Sequence, residues 1–150
     1  MKLNLKDYLF VGIQFILFAL YILKINIYTF KFPNSISITG IILSIIGALT
    51  IFIALLQLNT NLSPFPTPKS NSKLIQNGLF KYIRHPIYTG ILLLLSGYAV
   101  YVNSSAKLII SLLLLMLFFL KTTYEEERLL SKFPNYSEYK KRTGRFLPKF

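Results

Sequence analysis

Four apolar runs dominate the chain, and none of them carries a polar face. They are YLFVGIQFILFALYILKINI (8–27), SISITGIILSIIGALTIFIALLQL (35–58), PIYTGILLLLSGYAVYV (86–102) and AKLIISLLLLMLFFLKTTY (106–124). A helix needs about 20 mostly apolar residues to cross the hydrocarbon core of a bilayer. A run of that length with no polar stripe has no water-facing side to offer a soluble bundle. In lipid the backbone must satisfy its own hydrogen bonds, so each run is expected as a helix. The expected fold class is therefore all-α: a polytopic membrane protein of about four transmembrane helices, forming a single domain over residues 1–150, with a cytoplasmic C-terminal amphipathic helical tail. The first run lacks a small-residue cleavage signal and is followed by more such runs, so it is read as a span and not as a removable signal peptide.

A chain that is 53% hydrophobic yet carries 17 Lys+Arg against 5 Asp+Glu fits two classes, a nucleic-acid binder or a membrane protein with basic loops. The placement of the basic residues separates them. With four spans, one side holds Lys2, Lys6, Lys69, Lys73, Lys81, Arg84, Lys121, Arg128, Lys132, Lys140, Lys141, Arg142, Arg145 and Lys149; the other holds Lys24, Lys31 and Lys107. Cytoplasmic loops collect Lys and Arg. The 14-to-3 split thus puts both termini and the central loop in the cytoplasm, as expected of an integral protein of a bacterial inner membrane, and argues against nucleic acid as a partner. No cysteine and a single histidine leave no structural zinc site.

The third and fourth runs are joined only by the residues around NSSAK, so a tight antiparallel hairpin is expected, with the small residues Gly90, Ser96 and Gly97 suited to close packing. Residues 59–72, rich in Pro and Ser, read as an extended linker, and Asn77–Gly78 as a turn. Pro86 suits the first turn of a helix, which puts Arg84 and His85 at that helix's N-terminal edge. In the tail, Thr122 and Thr123 each precede a glutamate by three residues, like a capping box opening a new helix. Pro134 should stop that helix by Phe133, and NYSEYKKR could form a second short one. Leu129, Phe133 and Tyr136 share a face there, which with the basic residues suggests a tail lying on the anionic inner leaflet.

Arg84, His85 and the glutamates 125–127 flank the hairpin on one membrane side. Singly, they read as interfacial side chains and as acids at a helix start. Together they form a cluster of ionisable groups at a membrane mouth, a candidate pocket for a zwitterionic or charged small molecule. The residues alone do not name it.

NGLFKYIRHPIYTGILLLLSGYAV and EEERLLSKFPNYSEYKKRTGRFLP resemble the two signature blocks of the isoprenylcysteine carboxyl methyltransferase and phospholipid methyltransferase group. Gly78, Arg84, His85, Pro86, Tyr88 and Gly90 match the first block; Glu125, Glu126, Leu129, Phe133, Pro134, Tyr136, Tyr139 and Pro148 match the second. Phe80 stands where the group usually has tyrosine, and the blocks cover roughly the second half of the chain. The resemblance implies a membrane methyltransferase that uses S-adenosylmethionine, with its cofactor region over about 78–150. It implies Arg84 and Glu126 as catalytic residues, and Tyr82, His85, Tyr88, Gly90, Glu125 and Glu126 as cofactor-binding. The substrate implied is lipid-like or a hydrophobic small molecule, with membrane lipids around it. An arginine at Arg84 could orient a substrate carboxylate by a two-pronged hydrogen bond. Phospholipid N-methylation, a nicotinamide-dependent reductase of sterol reductase type, and a non-enzymatic membrane protein stay open as alternatives.

Overall fold

The computed structural model describes residues 2–25 and 31–149. These hold five α-helices and no strand: α1 Leu5–Ile22, α2 Asn34–Leu58, α3 Pro86–Tyr101, α4 Ser105–Lys132 and α5 Tyr136–Arg142. Short 3-10 turns lie at Asn59–Asn61 and Gly78–Lys81. The chain is a polytopic, all-helical membrane protein. Helices α1, α2 and α4 are long and apolar enough to cross a bilayer; α3 is apolar but has only 16 residues. At 1.5 Å per residue it rises about 24 Å, short of the ~30 Å core. Phe15, Ile16, Leu49, Phe52 and Leu56 are each more than half exposed, which leaves α1 and α2 with an apolar surface for lipid to cover.

Helix α1 begins three residues before its apolar run because Asn4 and Asp7 cap it reciprocally. The Asn4 side chain accepts from the Asp7 amide at 3.2 Å, and Asp7 Oδ2 accepts from the Asn4 amide at 2.8 Å. Residues 26 and 27, where that run was expected to end, lie outside the described residues.

The helices alternate in direction. At one end Asn4 Nδ2 donates to Tyr124 Oη at 2.7 Å, and the Thr67 amide donates to Asp7 Oδ1 at 2.9 Å. At the other, Lys107 Nζ donates to the Tyr21 carbonyl and the Phe32 amide donates to Asn103 Oδ1 at 2.7 Å. The N-terminus, the 59–85 connection and the tail therefore converge on one end of the bundle.

The small residues of α3 serve a different partner from the one expected. The most extensive packing in the fold is α2 on α3, not α3 on α4. A Cβ on Gly97 would lie 2.5 Å from the Gly40 carbonyl oxygen, and one on Gly90 would lie 2.8 Å from that of Gly47. Gly40 and Gly47 on α2 thus face Gly97 and Gly90 on α3 at one-heptad spacing, and the two backbones touch where side chains would separate them. Ser44, between them, donates to the Leu94 carbonyl at 3.1 Å.

Three local expectations are corrected. No helix begins at Thr122 or Thr123: α4 runs unbroken from the span to Lys132, and both hydroxyls donate back to the Phe119 carbonyl. No Pro or Gly stands between Leu120 and Glu125 to break the helix, so the capping pattern has no terminus to cap. The face of the tail expected to meet the leaflet is turned inward instead. Tyr136 and Tyr139 are buried, and the backbone of 144–145 pairs with that of 82–85, so the tail folds back over the bundle. The Pro/Ser-rich connection is extended but packed, with Pro66 fully buried and Thr67 3% exposed. The Asn77–Gly78 turn is present: Gly78 has φ +58°, and its neighbour's amide donates to Gln57 Oε1 at 2.9 Å.

Candidate functional site

The site grows from the start of α3. Pro86 occupies its first turn, where the missing N–H has no helical partner to lose. The preceding Arg84 and His85 donate their amides to the carbonyls of Gly144 and Arg145 at 2.9 and 3.2 Å, and Thr89 Oγ1 donates to the Phe146 carbonyl at 2.8 Å. The segment TGRF is thereby laid along YIRH, against the mouth of the hairpin at the end of the bundle where the termini converge.

Side chains lock that arrangement to α4. Glu126 is 1% exposed and gathers three cations and an imidazole: Arg84 Nε at 2.8 Å, Lys140 Nζ at 2.9 Å, Arg145 Nη2 at 3.6 Å and His85 Nε2 at 3.3 Å. Arg84 Nη1 also donates to the carbonyls of Lys140, at 3.2 Å, and Thr143. Hence Nε and Nη1 of Arg84 are already engaged, and the two-pronged contact to a substrate expected of it has only Nη2 left. Arg84 and Glu126 tie three elements together: the start of α3, the end of α4 and the tail.

The neighbouring glutamate has another environment. Glu125 accepts from Tyr88 Oη at 3.3 Å, and His85 Nδ1 stands 4.0 Å away. Its side chain keeps 23% exposure. Tyr88 is held between rings, stacked on Phe118 at 4.6 Å and on His85 at 5.7 Å between centroids. The sequence offered no means of separating the two glutamates; here Glu126 is consumed by the fold and Glu125 is open.

Two cavities meet at this cluster, with Leu58, Ser63, Phe80, Arg84, His85 and Glu125 in their shared wall. The one at the tail end, about 120 Å³, lies under the packed 61–75 connection and is closed by Leu129, Phe133, Tyr136 and Tyr139. The shared face of Leu129, Phe133 and Tyr136 thus exists but points into this cavity. Tyr136 Oη is buried there with no hydrogen-bond partner. Burial raises its phenol well above the usual range, so it remains a proton donor. Burial likewise pushes Tyr139 up to about 12, and its hydroxyl donates to the Phe80 carbonyl at 2.6 Å. The second cavity, about 280 Å³, reaches between the spans and is lined by Gln14, Pro64, Ile87, Tyr88, Ile91 and Lys121.

Arg84, His85, Tyr88, Glu125 and Glu126 are thus brought together. Tyr82 is not: its side chain is 45% exposed, beneath Lys81 and apart from both cavities. Gly90 packs against Gly47 and Ile51 of α2 and lines neither cavity. Sequence reasoning missed Gln14 and Lys121, whose side chains hydrogen-bond at 2.6 Å inside the bundle. Lys121 had been counted among the cytoplasmic cations. The signal available was polarity within a span, where ionisable groups are rare and usually functional.

The family model for phospholipid methyltransferases matches residues 35–137, from the start of α2 into α5. The likeness therefore reaches further toward the N-terminus than the two signature blocks did. No curated protein matches the chain.

Proposed function

Since the chain belongs to the phospholipid methyltransferase family, whose members are membrane methyltransferases, we propose that it transfers a methyl group from S-adenosylmethionine to a hydrophobic, membrane-embedded acceptor, in the manner of an isoprenylcysteine carboxyl methyltransferase. The observation that carries this reading is the pair of cavities sharing Arg84, His85 and Glu125. One opens toward the tail and the other, with the larger apolar share of its wall, reaches between the spans, as a water-soluble and a lipid-soluble reactant that must meet would require.

The tail-end cavity carries groups a cofactor would use, and at about 120 Å³ it must widen to admit the whole molecule. The open Glu125 carboxylate can take an amino-acid ammonium, the unpartnered Tyr136 hydroxyl can donate, and Phe80 and Phe133 offer apolar walls. When bound, the cofactor supplies a methyl group on a cationic sulfur. The chain's own residues orient and enclose. Tyr88 fixes the Glu125 carboxylate, and His85 is held by its stack on Tyr88 and by Glu126. Arg84 and Glu126 act as positioning residues that keep the tail closed and water out. Alignment of two reactants in a dry site is worth about 7–11 kcal/mol of barrier.

The family description favours a second reading, N-methylation of an amine-bearing lipid headgroup. An ammonium must lose a proton before it can attack, which an acid oxygen need not.

The cofactor assignment has a direct check. Thermal-shift titration of the detergent-solubilised protein should show stabilisation by S-adenosylmethionine or its demethylated product, about 2.7 kcal/mol at 100 times the dissociation constant. Stabilisation by NADPH alone would transfer the case to the reductase reading. The proposed orientation follows from the basic asymmetry: reporter fusions after Lys149 and at Ser70 should read cytoplasmic, and one at Ser104 should read external. An external reading after Lys149 overturns it.

A further inference from the structure

Tyr82, turned away from both cavities, belongs to a second feature at the same end of the bundle. It lies with Lys81, Arg142 and Lys149 around an open recess of about 420 Å³. Each of the three cations meets a neutral group. Lys81 Nζ stands 5.5 Å from the centre of the Tyr82 ring, Arg142 donates to the side-chain oxygen of Gln76, and Lys149 Nζ donates to the Lys141 carbonyl at 2.7 Å. Among the described residues no carboxylate lies within 4 Å of any of them, that of Glu138 on α5 included. Their charge is therefore unbalanced, and two parts of the chain supply it. Lys81 precedes the start of α3, whereas Arg142 and Lys149 belong to α5 and the tail.

The recess lies at the level of lipid headgroups. Tyr82 stands four residues before Pro86, the first residue of α3, and α3 has only 16 residues. A span that short is accommodated by thinning the bilayer or by flanking side chains that reach for the headgroups, and either brings residues 81–82 to them. Tyrosine and lysine favour that level. Tyr82 is 45% exposed and Leu147, two residues before Lys149, is 75% exposed, so apolar surface accompanies the charge. A soluble acidic partner would match the cations alone; a leaflet of anionic phospholipid matches both.

We propose that this patch docks on the headgroups of anionic phospholipids, and that the leaflet so engaged clamps the tail shut. A phosphate seated among Lys81, Arg142 and Lys149 bridges the entry of α3 to the tail from outside, as Glu126 bridges Arg84 to Lys140 and Arg145 from inside. The Gly144 amide, donating to the Tyr82 carbonyl at 3.0 Å, runs between the two clamps. The tail closes the tail-end cavity through Tyr136 and Tyr139, so the charge of the leaflet regulates access to that cavity. The lipid is a ligand of the outer surface here and not a reactant, and the clamp does not depend on methyl transfer.

The test uses the full chain in nanodiscs of pure phosphatidylcholine and of an equal mixture of phosphatidylcholine and phosphatidylglycerol. Chymotrypsin reaches Tyr136 and Tyr139 only when the tail opens, since both are buried, and with rapid reclosing the cleavage rate follows the open population. A single Lys or Arg at an anionic leaflet is worth about fivefold in association. Cleavage of the wild type should therefore be at least about fivefold slower in the mixed discs. The combined variant Lys81→Gln, Arg142→Gln, Lys149→Gln should show no difference between the two lipids. Glycerol 3-phosphate added to phosphatidylcholine discs should protect nothing. Equal cleavage of the wild type in both lipids, protection that survives in the variant, or equal protection by the soluble phosphate overturns the proposal. If the variant fails to fold, salt decides: at 1 M, where screening acts within ~3 Å, the wild type should lose the lipid effect, and an effect that persists overturns the clamp.

Discussion

Glu126→Gln should release the tail from the hairpin and abolish cofactor binding. The side chain is 1% exposed, is the shared counter-ion of Arg84, Lys140 and Arg145, and meets His85 Nε2 at 3.3 Å. The amide keeps the shape and one acceptor but loses the charge. Arg84, at 7% exposure, is then left buried without a carboxylate. Removing one partner of a buried pair costs about 3–5 kcal/mol, because the other charge is stranded. At 1.4 kcal/mol per tenfold, even the lower figure weakens a tail-closed complex by more than a hundredfold. Melting temperature, S-adenosylhomocysteine affinity and proteolysis beyond Lys132 should therefore all change together. Glu125→Gln provides the contrast: among the described residues that carboxylate accepts from Tyr88 and keeps 23% exposure, so affinity should fall while the melting temperature stays. Equal effects at the two positions would mean the roles have been divided wrongly.

Gly47→Leu should be the most damaging substitution in the apolar half. A Cβ at this position would lie 2.6 Å from the Gly90 carbonyl oxygen, which is backbone and cannot swing aside. The helices must separate, and the Gly40–Gly97 contact and the Ser44–Leu94 hydrogen bond go with it. Overpacking typically costs about 1–3 kcal/mol; a backbone-to-backbone contact belongs at or beyond the upper end. Because α3 begins with Pro86 beside Arg84 and His85, its displacement should also cost cofactor affinity. Gly12→Ala is the control: nothing lies within 4 Å of a Cβ there, and alanine favours helix over glycine by roughly 0.5–1 kcal/mol. Thermal unfolding in one detergent reports both variants. A silent Gly47→Leu would show that α2 and α3 pack in another register.

What could be read in advance followed from chemistry that acts locally. Uninterrupted apolar runs set the spans, Pro86 set the start of α3, and Asn77–Gly78 set its turn. Partner choice is not local. The seven-residue spacing of Gly40 and Gly47 repeats in Gly90 and Gly97, yet α3 was assigned to its neighbour in sequence because a short loop is more visible than a matching period. The Thr122–Glu125 pattern is a genuine capping sequence that a continuing helix overrides. Within the site, the placement of ionisable groups singled out Arg84, His85 and glutamates 125–127, and the resemblance added roles for them. That Arg84 meets Glu126, 42 residues away, is a tertiary fact, as is the outward turn of Tyr82. Lys121 was hidden by its place at a span's end, where a snorkelling lysine is unremarkable; only burial distinguishes it.

Methyl transfer itself is the central claim. Purified protein in nanodiscs prepared from bacterial lipid extract is incubated with isotopically labelled S-adenosylmethionine, and the organic phase is analysed by mass spectrometry. Label should appear in an apolar product with the wild type and be absent with Glu125→Gln and Glu126→Gln. An organic phase that stays unlabelled, together with protein-dependent oxidation of NADPH, would contradict methyl transfer and assign the two cavities to reductase chemistry.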